Sequence, residues 1–67
     1  MRFSYNKLWK LLIDRDLSKK ELAEKSGVSV TSISKLKNGA NVNTEILLKI
    51  CIALNCDISD IVEIVKE

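Results

Sequence analysis

Thr31, Ser34, Lys35 and Asn38 stand three and four residues apart, which puts them on one side of a helix. Their shared chemistry is hydrogen bonding: hydroxyls that donate and accept, an ammonium that donates, and an amide that does both. Nothing beside them suggests bond-making chemistry. The chain has no histidine, and its 2 glycines form no phosphate-cradling loop. Its carboxylates are scattered over predicted helix ends and outer faces, where capping and solubility explain them. Cys51 and Cys56 lie five apart and match no C-x-x-C pattern, so they are expected to be buried, reduced, structural thiols. These absences predict a non-enzyme with no metal site, no cofactor and no small-molecule substrate. The surface offers non-covalent recognition.

A recognition face must be held from behind, and the flanking residues predict how. Ser18-Lys19-Lys20-Glu21 has the spacing of a capping box and starts a helix. Leu22 and Ala23 face inward on it, and Gly27 supplies the left-handed turn that ends it. Ser29 is a second N-cap, and the following helix runs to about Lys37 before Asn38-Gly39. Val28, Ile33 and Leu36 plug this helix onto the preceding one, leaving Thr31, Ser34, Lys35 and Asn38 outside. A short polar helix braced from its back suits the major groove of double-stranded DNA.

Elsewhere apolar residues recur at three and four, and the chain reads as all-α with five helices. Helix 1 is predicted over about Ser4–Arg15 with Ser4 as its N-cap. Helices 2 and 3 form the helix-turn-helix. Helix 4 is predicted over about Thr44–Leu54, capped by Asn43. Helix 5 is predicted over about Ile58–Val65, capped by Asp57 with Asp60 three residues on, and its stripe is Ile58, Ile61, Val62 and Val65. Trp9 and Ile13 are expected to pack between helices 1 and 5, with a partner-binding patch as the alternative. All 67 residues are expected to form one domain. So small a chain buries only about 60% of its unfolded surface. No run reaches the roughly 18 apolar residues of a membrane span, and the start has no signal-peptide pattern. A cytoplasmic, nucleoid-associated location follows, with no membrane partner.

Net charge is +2, unevenly spread. Residues 18–39 carry five lysines against Glu21 and Glu24, whereas residues 40–67 carry Lys49 and Lys66 against five carboxylates. A front that faces phosphates and an acidic rear would give this pattern.

The segment from Lys19 to Gly39 resembles the Cro and phage-repressor (lambda-repressor-like) family of helix-turn-helix domains. Leu22, Ala23, Gly27, Val28, Ile33, Leu36 and Asn38-Gly39 carry the resemblance, and the other helices fall where that family has them. Ser26 departs from the pattern, which often has an apolar residue there. Val42 and Glu45 stand where relatives often carry arginine. The resemblance implies that Val30, Thr31 and Lys35 read base edges. It implies that Lys19, Ser29, Asn38, Asn41 and Asn43 hold phosphates. For Val30 the competing expectation is a partly buried helix start, and for Lys35 a solvated surface lysine. The implied function is sequence-specific transcription regulation, as a repressor or related regulator. The alternative is a protein-binding module, such as an antitoxin or co-regulator, whose main partner is another protein.

Leu48 and Ile52 point away from the inward face of helix 4 formed by Ile46, Leu47, Ile50, Cys51 and Leu54. Ile64 lies off the stripe of helix 5. Two expectations remain for Leu48, Ile52 and Ile64: packing under an adjacent helix, or a homodimer contact that sets two copies of helix 3 on one side.

Overall fold

Ser18 opens the second helix as its spacing to Glu21 predicts. Its hydroxyl accepts from the Glu21 amide at 3.1 Å, and the Glu21 carboxylate accepts from the Ser18 amide at 3.2 Å. The structure, a computed structural model, describes residues 1–39 and 42–66. Its elements run β1 (Arg2–Ser4), α1 (Asn6–Asp14), α2 (Lys19–Ser26), α3 (Val30–Lys37), α4 (Thr44–Leu54), a 3₁₀ turn (Ile58–Asp60) and β2 (Glu63–Val65).

The cap signals place α2, α3 and α4. Gly27 closes α2 at φ +75°, with its amide donating to the Ala23 carbonyl at 3.0 Å. Ser29 accepts the Ser32 amide at 3.2 Å, and Asn43 Oδ1 accepts the Ile46 amide at 3.0 Å. Two helices end in left-handed residues that are not glycine. Asp16 (φ +56°) follows α1, and Asn55 (φ +51°) follows α4. Asp and Asn tolerate this region because their short polar side chains bond locally. Beyond each, an amide reaches back five residues: Leu17 to the Leu12 carbonyl at 2.9 Å, and Cys56 to the Cys51 carbonyl at 3.0 Å. Arg15 donates its guanidinium to the Leu54 carbonyl at the end of α4, tying α1 to α4.

The two ends of the chain overturn the five-helix prediction. Residues 2–4 and 63–65 form an antiparallel two-stranded ribbon with register Arg2↔Val65, Phe3↔Ile64 and Ser4↔Glu63. Ser4 is therefore a buried strand residue and not the N-cap of α1; Tyr5 takes that place without a side-chain cap bond. The predicted fifth helix is only one 3₁₀ turn before β2. Its capping signal is real, since Asp57 and Asp60 form a reciprocal box. After that turn Ile61-Val62-Glu63-Ile64-Val65 is rich in β-branched residues, which suit a strand once a partner strand is available.

The core draws on every helix: Leu8 and Leu12 from α1, Leu22 and Ala23 from α2, Ile33 and Leu36 from α3, Ile50 and Leu54 from α4, with Ile61 from the rear. Trp9 packs partly against it, but Ile13 is 77% exposed, so the expected packing of Ile13 on a fifth helix is overturned along with that helix. Val42 is half-buried on the core.

Candidate nucleic-acid interface

α3 is amphipathic with a very small apolar side. Ile33 and Leu36 are buried at its back, while Thr31, Ser34, Lys35 and Asn38 are exposed in front. Val30 is 55% exposed, so an accessible methyl surface stands beside that face while part of the side chain is covered. The turn that holds α3 is rigidified by the residue that departs from the family pattern. Ser26 donates its hydroxyl to the Leu22 carbonyl at 2.7 Å and accepts the Val28 amide at 3.2 Å. A polar side chain thus satisfies backbone groups where an apolar one would only pack.

The described residues among those expected at phosphates stand at helix ends, in different states. Lys19 begins α2, with its ammonium 5.0 Å from the centre of the Trp9 ring. Ser29 and Asn43 both spend an oxygen on helix capping. The amide nitrogen of Asn43 still has donors to offer. Asn38 is exposed at the C-terminal end of α3. Asn41 lies outside the described residues.

Lys37, on none of the positions expected to read bases or hold phosphates, also comes to this edge of the domain. It stands close enough to Lys19 to lower the pKa of that ammonium, an effect second to the loss of hydration there. The signal is tertiary: it depends on the end of α3 meeting the start of α2.

A second surface lies at the rear. Leu48 and Ile52 are 59% and 70% exposed, so neither packs under a neighbouring helix. They line an open apolar groove of about 790 Å³ together with Phe3, Ile58 and the half-buried Cys51 and Cys56. Ile64, also exposed, faces Phe3 across the ribbon and extends the apolar surface beyond the groove. Both cysteines are free and half-buried, less enclosed than expected. Burial pushes the Cys51 thiol up to about 11, aided by Cys56 and the Asp57 and Asp60 carboxylates. Burial likewise raises Cys56, with Cys51 and Arg15 opposing. Raised thiols are poor nucleophiles.

Among the described residues no three metal-ligating side chains cluster, and no helix is long and apolar enough to cross a membrane. What the front face and its bracing turn describe is a helix-turn-helix, and a family model decides the kind. The model of the Cro/C1-type HTH DNA-binding domain matches residues 7–67. The chain belongs to this family. One solved structure is similar over nearly the whole length: the transcriptional regulator VanUg, crystal form II. It shares 56% identity at a TM-score of 0.90, covering 98% of this chain and 88% of that one. A comparison with curated proteins found no match. The Cro/C1-type assignment makes double-stranded DNA the ligand class of this domain.

Proposed function

We propose that this protein is a sequence-specific transcriptional regulator that inserts α3 into the major groove and binds its operator as a two-fold homodimer. The observation that carries this is α3 itself, polar and exposed in front and anchored by Ile33 and Leu36 behind. Similarity to a transcriptional regulator over nearly the whole chain supports it. Thr31 and Lys35 read base edges: the ammonium donates to guanine O6 or N7, and the threonine bonds or touches a thymine methyl. Val30 adds methyl contact. Lys19, Ser29, Asn38, Asn41 and Asn43 position the domain on phosphates, aided by helix N-terminal amides.

One copy presents a single short helix to about half a turn of DNA. Two copies reach successive half-sites about 34–36 Å apart. The apolar face with Leu48, Ile52 and Ile64 supplies the contact between them. It is an exposed apolar surface of the kind that marks protein association. The domain measures 33 × 22 × 17 Å, so neighbouring copies fall on the scale of that spacing. Such a regulator works in the cytoplasm on the nucleoid.

Selection of bound duplexes from a random pool tests base reading. The wild type should return a two-fold motif. Thr31→Ala with Lys35→Ala should relax preference at one or two base pairs per half-site, each contact being worth about 1–3 kcal/mol. An unchanged motif in the double variant would remove these residues from base reading.

A further inference from the structure

Two lysines from different helices converge beside a tryptophan at the edge of the front face. Lys19 sits over the Trp9 ring at 5.0 Å, within the range of a cation–π contact. Lys37, the last residue of α3, shares with Trp9 a shallow depression of about 150 Å³ that Asn6 and Asn38 also line. Among the described residues no carboxylate pairs with Lys19 or Lys37. Lost hydration and then the nearby Lys37 ammonium lower the pKa of Lys19. The pair is thus an uncompensated concentration of positive charge. Its geometry is held by α2, α3 and an aromatic floor from α1, and it becomes favourable when an anion enters.

We propose that Lys37 joins Lys19 in a two-ammonium clamp on one backbone phosphate of the bound duplex, with Trp9 as the positioning residue beneath it. The clamp rests on the duplex-binding function proposed above and adds two residues to it. The ring attracts the Lys19 ammonium to one place, so less side-chain freedom is lost when the phosphate arrives. Lys37 lies at the C-terminal end of α3, so the clamp would also set how far that helix advances along the groove.

The test uses the full chain and a duplex that the wild type selects. Lys37→Gln should weaken binding to every duplex roughly two- to fivefold, the scale of an exposed ion pair, and leave the selected motif intact. Because the two ammoniums share one phosphate, Lys19→Ala with Lys37→Gln should lower the salt slope by about 0.9 in total. Trp9→Leu should weaken binding uniformly, and Trp9→Phe should restore it. Thermal unfolding checks that each variant keeps the fold. Affinity and slope of Lys37→Gln equal to those of the wild type would overturn the clamp. A double-variant loss of about two units would assign the lysines to separate phosphates and overturn it too. Equal binding by Trp9→Leu and the wild type would overturn the role of the ring. A wild type that binds no duplex would instead defeat the regulator function, and the clamp with it.

Discussion

The α2–α3 pair and the β1–β2 ribbon are held by different kinds of interaction. In α2 and α3 almost every structural decision is made within a turn of chain. Ser18 and Glu21 cap each other, Ser26 serves the backbone at both sides of the turn, Gly27 closes one helix and Ser29 opens the next. In the ribbon the decision is made between opposite ends of the molecule, where Arg2 meets Val65 and Ser4 meets Glu63. The first region presents polar groups on a locally specified frame. The second leaves Phe3, Ile64, Leu48 and Ile52 uncovered. The α2–α3 half is thus locally specified in its geometry, whereas the rear is a product of chain closure.

The largest expected effect tests whether the two regions share one cooperative core. Ile33 in α3 and Ile61 before β2 are 1% and 0% exposed. Each Ile→Ala change should cost about 2–5 kcal/mol. A domain of 67 residues has roughly 3–10 kcal/mol in all, so either variant should lose a large share of it. Thermal circular dichroism reads this. A loss under about 1 kcal/mol for Ile61→Ala alone would show a rear that frays independently, and would break the picture of a shared core.

A smaller effect sharpens the local side of the comparison. A Cβ at Gly27 would meet nothing within 4 Å, so Gly27→Ala pays only for the left-handed backbone, about 1–2 kcal/mol. Ser18→Ala removes one half of the capping box and should cost about 1 kcal/mol. Denaturant titration measures both. Full stability in Gly27→Ala would mean that the turn is not held at positive φ.

The smallest effect on stability falls on the rear face. Leu48→Glu with Ile52→Lys alters two exposed side chains and should move protomer stability by no more than about 0.5 kcal/mol per site. Its consequence should instead be a monomer with much weaker operator binding. Sedimentation of the wild type and the variant, free and on a palindromic site, decides it. A wild type that is monomeric in both states would remove the homodimer and turn the groove toward a different protein partner.

Much of this molecule was determined by sequence alone. Helices α2, α3 and α4, their caps, the buried set Leu22, Ala23, Val28, Ile33 and Leu36, and the exposed polar side of α3 are all legible because helical period and cap chemistry act over three or four residues. Tertiary structure alone decided the rest. The stripe of Ile58, Ile61, Val62 and Val65 fits a helix by period, yet it became a 3₁₀ turn and a strand because β1 was there to pair with. Ser4 is a good N-cap by type, yet the same pairing drew it into a strand. Asp16 and Asn55 close their helices in conformations that their residue types permit but do not demand. The Lys19 ammonium feels Lys37 only because α3 folds back against α2. Local periodicity reports what a residue's near neighbours favour. Partners distant in the chain choose among the conformations it allows, because their hydrogen bonds and buried area exist only after the chain has closed on itself.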